Sequence, residues 1–443
     1  MSKKTVSLIT LLMLIGSIGQ AGFNTEPSRQ IKYEKVIKIV CEKIDRIYPD
    51  KSIALKVIQG LTENLYSGKY KKNLSAAAFA SAVTEDMETL SQDKHLDLFY
   101  DPARVAAMRE QEEKGSEAAY LASSIEQERM NNFGFKELKI LEGNIGYLDL
   151  RVFFAAKYAG DTASAAMNFF ANCDAMVIDL RKNGGGWDGM VNLLLSYFID
   201  PEEEVVLKVT RSTIDESYYP SMTLPYLPGK KYDKIPLYIL TSESTASAAE
   251  AFIFRMKQLN KHVVTVGSRT AGAENPISFQ ILDDDFILQI PSYQVVYSAT
   301  DGGWEGKGIK PDIEAKSDEA LDAAYLDALK KLREAATDKL KLGKYQWAID
   351  GIEAIRTPYV IDKAVLGGYA GKYGRSLVSL DDGFLYYTYK NRPKRKLIPI
   401  AEDYFLVEGV DHYRIRFERQ DGSITSLTVI FNDGYKITSS KES

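Results

Sequence analysis

Apolar residues recur every three to four positions from Ile31 to Leu90. Val36, Val40 and Ile44 form one stripe, ended by Pro49-Asp50. Leu55, Ile58, Leu61 and Leu65 form a second, and Phe79, Val83, Met87 and Leu90 a third behind Ser75. This spacing puts each set on one helix face, so residues 22–100 are expected to form a helical N-terminal cap. A charged, helix-prone connecting segment, residues 101–143, follows.

The period then changes. Phe133 to Ile140 and Gly143 to Val152 read as strands, Ala163 to Ala171 as a helix, and Ala175 to Leu180 as a buried strand. After Asn183 and three glycines, Met190 to Phe198 is helical. Leu237 to Leu240 and Val263 to Val266 are further buried strands, and Phe286 to Val296 alternates like a strand pair. Strands alternating with helices predict an α/β core over residues 144–345, closed by a helix from Leu321 to Leu342. Val205 to Asp233, with three prolines, is expected as a long irregular excursion. Residues 346–366 read as a helical linker. From Gly367 to Ser443 short strands are separated by Asp381-Asp-Gly383, Asp421-Gly422 and Asn432-Asp-Gly434, which predicts a separate all-β domain, a small barrel or meander.

Lys3 and Lys4 precede an apolar run, Val6 to Ile18, too short to span a bilayer, and Gly19-Gln20-Ala21 offers small residues for cleavage. Residues 1–21 therefore read as a signal peptide of an exported, periplasmic or secreted protein. No cysteine follows that run, and no later stretch is long and apolar enough for a membrane anchor. A net charge of −5 gives no electrostatic case for nucleic acid. Cys41 and Cys173, the only two cysteines, are expected to be unpaired and buried.

Chemistry can reside in few places. HExxH, Cys/His clusters, GxSxG and Walker A are all missing, so no metal and no organic cofactor is expected. Pro236-Leu-Tyr-Ile-Leu-Thr-Ser-Glu-Ser-Thr-Ala-Ser-Ala-Ala-Glu250 runs from a strand through five hydroxyl residues into a helix. A serine at such a junction has free amides and the positive helix end beside it, although a plain N-cap is the commoner use. Of the three histidines, His95 has the surroundings that would suit the base of a serine enzyme, and Asp93 nearby either orients its ring or is merely solvated. The glycines after Asn183 let the backbone approach a ligand, where their amides can cradle an oxyanion, or they form a tight turn.

Together these stretches resemble peptidase family S41, the C-terminal processing and tricorn-like peptidases. The carrying residues are Ile145-Gly-Tyr-Leu148, Ile178-Asp-Leu-Arg-Lys-Asn-Gly-Gly-Gly186, Thr241 to Glu250, Val266-Gly-Ser-Arg-Thr-Ala-Gly272 and Trp304-Glu-Gly-Lys-Gly-Ile-Lys-Pro-Asp312. Leu227-Pro-Gly-Lys-Lys-Tyr-Asp233 and Asp93-Lys-His-Leu96 resemble the branch containing interphotoreceptor retinoid-binding protein modules. The resemblance implies a ClpP/crotonase-like core and a serine endopeptidase with Ser247 as nucleophile, acting on polypeptide or peptide substrates, with oligomerisation left open. Ala273 stands where processing peptidases carry a lysine base. The tricorn-like arrangement instead implies His95 with Glu305, although Lys94 replaces the serine of its relay. Ala248 with Gly185 or Gly186 is the implied oxyanion hole. Residues 101–143 leave no room for a PDZ domain. The alternative reading is a peptidase-like protein whose site binds an apolar ligand or peptide without catalysis.

Overall fold

The computed structural model describes residues 26–71, 74–114, 125–199, 205–298 and 303–442. The expected signal peptide lies outside them. The chain divides into two compact units: one holds residues up to Leu138, Tyr147–Ala171 and Met176–Ala320, and the other Lys139–Gly146, Asn172–Ala175 and Leu321–Ser443. The expected boundary at residue 346 thus falls inside the second unit.

The first unit opens with helices α1 (Glu26–Ile47), α2 (Lys51–Tyr66) and α3 (Ala76–Ser91). Asp50 caps α2 through the Ser52 and Ile53 amides, and Ser75 caps α3 through that of Ala78. The first and third stripes are buried as expected, with Leu90 at the margin. In α2 the buried face is Ala54, Val57 and Leu61, while Leu55 is exposed. Of the expected stripe, Leu61 is buried and Ile58 and Leu65 pack against the core, and only Leu55 misses, its place taken by the small Ala54.

The cap shares its core with β1 (Asp97–Tyr100) and β10 (Phe286–Pro291): Leu96, Leu98, Phe286, Leu288 and Ile290 pack among the cap residues. β1 pairs antiparallel with β10, Asp97 opposite Gln289, and β10 pairs with β9 (Ile277–Ile281). The main sheet has the order β12-β8-β7-β4-β3-β2. Its strands are β2 (Phe135–Leu141), β3 (Ile145–Leu150), β4 (Ala175–Asp179), β7 (Leu237–Thr241), β8 (Val263–Gly267) and β12 (Ile313–Glu314). β4, β7, β8 and β12 run parallel; β4 and β7 are nearly unbroken apolar runs, as strands buried on both faces should be, while β12 is a two-residue edge strand. Helices α5 (Ala156–Phe169), α6 (Asp188–Ser196) and α7 (Ala248–Leu259) connect them; α4 (Pro102–Lys114) precedes β2.

Two expectations fail here. The supposed irregular excursion carries β5 (Val206–Ser212) and β6 (Tyr218–Met222), which form a sheet with β11 (Tyr293–Ser298) in the order β11-β5-β6. Pro220 lies within β6, which is an edge strand where a missing N–H costs no ladder bond. β10 and β11 are adjacent in sequence, yet each pairs into a different sheet rather than with the other.

In the second unit the expected closing helix is two, α8 (Ala320–Ala335) and α9 (Lys339–Arg356), the latter capped by Asp338. Eight antiparallel strands follow in chain order, β13 to β20, over Gly371–Ser440. A bridge between Tyr373 and Lys441, with the Glu442 amide donating to the Lys372 carbonyl, joins the last strand to the first and closes a barrel. Its interior is filled by Tyr369, Tyr373, Phe405, Phe417 and their apolar neighbours. Buried Arg414 reaches out of the barrel wall to α9, donating to the Trp347 carbonyl and stacking on that indole.

Among the described residues no helix is long and apolar enough to cross a membrane. Neither cysteine forms a disulfide; Cys173 is buried, Cys41 only partly.

Candidate active site

Parallel pairing dictates where the loops meet. β4, β7 and β8 lie side by side in the same direction, so the segments after Asp179, Thr241 and Gly267 leave from the carboxyl end of the sheet, the usual place for a site in such folds. Backbone and hydroxyl bonds then lock them together. Thr245 Oγ1 donates to the Leu180 carbonyl at 2.8 Å and Ser242 Oγ to that of Arg181 at 2.5 Å. The Ala246 amide donates to the Asn183 carbonyl, and that of Ala271 to the Thr245 carbonyl. Thr241 spends its hydroxyl on the Ser268 carbonyl. Three of the five hydroxyls in the run are therefore structural.

Ser247 differs from them. It is half-buried at the N-terminus of α7 with φ 52° and ψ −118°, a conformation that costs a non-glycine residue about 1–3 kcal/mol. Gly185 is pressed against it: a Cβ there would stand 2.8 Å from Ser247 Cβ and 3.0 Å from the Ala248 nitrogen. The Ala248 amide is one of the four that an α-helix leaves without an internal acceptor. Of the two glycine amides named from sequence, that of Gly185 is already committed to Asn183 Oδ1 at 2.9 Å. The Gly186 amide donates to no acceptor among the described residues, so the expected pair narrows to Gly186 and Ala248. At Gly186, φ is +136° and a Cβ would run into the Phe153 carbonyl.

The strained serine is held by a residue the sequence reading passed over. Glu250, fully buried on the first turn of α7, accepts four hydrogen bonds. Oε2 takes the Ser247 amide at 3.0 Å and that of Ala273 at 2.8 Å; Oε1 takes the Thr270 hydroxyl at 2.5 Å and the Gly272 amide at 2.7 Å. Burial pushes its carboxyl up, and the four donors act against that shift. Ser247-Ala-Ala-Glu250 is a Ser-x-x-Glu capping signature, a signal in the sequence that could have found it.

The same loop is gripped from its other end by Glu305. Glu305 Oε2 accepts the Glu274 amide at 2.7 Å and the Asn275 amide and side chain at 3.1 Å. Glu274 returns the arrangement by accepting the Trp304 and Glu305 amides. Ser247 and Glu305 thus border one loop, residues 270–275.

His95 follows α3, whose C-cap Gln92 is left-handed, and β1 anchors it to the core beside Gln289, which donates to the His95 carbonyl. Asp93 Oδ1 accepts the His95 amide at 2.8 Å, and Tyr48 donates to Oδ2 at 2.7 Å. The His95 ring is buried, and its Nδ1 lies 3.7 Å from Asp93 Oδ1, beyond hydrogen-bond reach. Ligating atoms of Asp93, His95 and Glu305 lie within 4.8 Å of one another. His95 Nδ1 and Glu305 Oε1 are both buried without a partner. Lys94 is exposed, and Asp93 stands beside the ring instead.

Burial pushes the His95 imidazole below its usual range, opposed by the Asp93 carboxylate. Burial, then the charge of Asp93, pushes Glu305 up to about 8. Burial and the same carboxylate raise the Tyr48 phenol far above its ordinary value. His262 is half-buried before β8, and His412 is exposed on the barrel beside Asp411. Neither belongs to this cluster.

Residues 144–315 match the model of peptidase family S41, and residues 29–133 match the model of the N-terminal domain of that family in eukaryotic IRBP. The chain is 24% identical over 199 residues to carboxy-terminal processing protease CtpB of Bacillus subtilis, covering 44% of this chain and 39% of that protein. To CtpA of the same organism it is 25% identical over 164 residues, 36% of this chain and 33% of that protein. It therefore spans well under half the length of these relatives. The solved photosystem II D1 C-terminal processing protease aligns at TM-score 0.38 and 16% identity, over 66% of this chain and 94% of that one.

Proposed function

We propose that this chain, which belongs to peptidase family S41, is an exported serine endopeptidase working through an acyl-enzyme. Ser247 Oγ attacks the scissile carbonyl while His95 takes its proton through Nε2. The amides of Ala248 and Gly186 receive the charge that develops on the carbonyl oxygen. Collapse of the tetrahedral adduct breaks the C–N bond, and His95 returns the proton to the leaving amine. Water then attacks the ester by the same route in reverse. Asp93, beside Nδ1, balances the imidazolium in the sense of the third member of a triad, and Glu305, whose carboxyl burial and Asp93 raise to about 8, completes the surroundings of the ring. Ala273 supplies no lysine base, so activation rests on the histidine.

The observation that carries this reading is the backbone of Ser247. A strained, non-glycine φ at a helix start, braced by a buried carboxylate and a glycine that admits no side chain, is what a presented nucleophile requires and a plain N-cap does not. The substrate class is polypeptide, and the basic-then-apolar start of the chain supports export. Labelling of the mature protein with a fluorophosphonate, followed by mass mapping, should place the adduct on Ser247. Absence of label there, or casein cleavage unchanged in Ser247→Ala, would refute the reading.

A further inference from the structure

The Asp93–His95–Glu305 cluster offers more than catalysis requires. A base needs one acid at its Nδ1; here two carboxylates and the ring nitrogen converge within 4.8 Å, and His95 Nδ1 and Glu305 Oε1 have no protein partner although both are buried. The His95 residue is only 8% exposed. Each carboxylate is fixed by other bonds: Asp93 by Tyr48 and the His95 amide, Glu305 through Oε2 by Glu274 and Asn275. Ligands oriented in this way by their neighbours are the usual surroundings of a bound metal.

We propose that Asp93, His95 and Glu305 form an inhibitory divalent-cation site, suited to Zn2+, whose occupancy disables the base of the candidate active site. The donor set selects the ion. One imidazole and two carboxylates suit Zn2+, whereas Ca2+ and Mg2+ prefer oxygen alone. Ligand atoms around tetrahedral Zn2+, at about 2.0–2.1 Å from the metal, stand roughly 3.3 Å apart. The cluster must close by at most about 1.5 Å, and Glu305 Oε1 has no protein partner to give up in doing so. Water completes the fourth position.

Inhibition follows from the two nitrogens of one ring. A neutral imidazole has a single nitrogen lone pair to give. With that pair on the metal at Nδ1, the proton sits on Nε2, which becomes a donor and can no longer accept the serine proton. The effect on activity rests on the Ser247–His95 reading; the binding does not.

The whole chain, stripped with chelator, is titrated with ZnCl2 near neutral pH by calorimetry, as the native protein and as Ser247→Ala. One Zn2+ should bind per chain in both, and His95→Ala and Glu305→Gln should each weaken binding by about tenfold or more. Circular dichroism checks that both variants fold. Peptidase activity of the native chain should fall with the same midpoint and return on adding chelator. Absence of binding in Ser247→Ala, or binding undiminished in folded His95→Ala and Glu305→Gln, overturns the site. Binding that obeys the variants but leaves activity intact overturns the inhibition and, with it, His95 as base, while the metal site stands.

Discussion

Glu250→Gln isolates the brace beneath the serine without changing its shape. The amide will turn its NH2 toward Thr270, whose hydroxyl can accept, because the opposite orientation would face both the Ser247 and the Ala273 amides. The Gly272 amide then loses its acceptor inside the protein, at about 1–3 kcal/mol. The Ser247 and Ala273 bonds lose their charged acceptor, about 1 kcal/mol each. Relief from burying a charge returns about 1–2 kcal/mol, since burial already disfavours the ionised form. The net loss is about 1–4 kcal/mol, a shift of roughly 2–6 °C in the first thermal transition for a unit of this size. At a temperature where both proteins are folded, the rate of fluorophosphonate labelling should fall about tenfold or more, because the relaxed serine no longer points as required. A melting shift below about 1 °C together with an unchanged labelling rate would refute the argument.

Other predictions concern the same surroundings. Gly185→Ala should leave the chain folded but abolish labelling, since the new Cβ collides with Ser247 Cβ and φ is +113°; wild-type labelling in this variant would contradict the packing. The acid limb of kcat/KM should have its midpoint below about 6.5, because burial lowers the His95 imidazole and the base stays neutral into mild acid; a midpoint above that value counts against His95. Glu305, raised to about 8 by burial and Asp93, binds a proton in the folded state that the unfolded chain has already released. Its contribution to stability is complete below about pH 4.5 and is lost as pH rises through about 8. Urea midpoints of Glu305→Gln should therefore fall less between these pH values than those of the native chain, and equal slopes would refute the shift.

The fold was readable where one period ruled. The cap stripes and the apolar strands β4, β7 and β8 declared themselves, because helices with one buried face and strands buried on both faces leave unmistakable patterns. β5 and β6 were hidden by proline: an edge strand tolerates Pro220, and periodicity does not say which strands lie at an edge. The separate partners of β10 and β11 are set by long-range pairing, to which local alternation is blind. At the site, residue type and order pointed to Ser247, His95 and Glu305. What they could not convey is which amides are free. Gly185 and Gly186 look alike in sequence, and only the Asn183 side chain separates them. Glu250 carried a capping signature but read as one more helix residue, since a carboxylate gathering four donors from two separate segments is a three-dimensional fact.

The barrel of the second unit is sealed by its final residues, where Tyr373 meets Lys441 and Glu442 bonds to Lys372. Until residues 436–442 have left the ribosome, β13 and β19 each present a row of unpaired amides and carbonyls, the arrangement most prone to pairing with a neighbouring chain. Barrel closure therefore waits on this last strand. Trimming these few residues would reopen the seam permanently, turning a closed surface into two sticky edges.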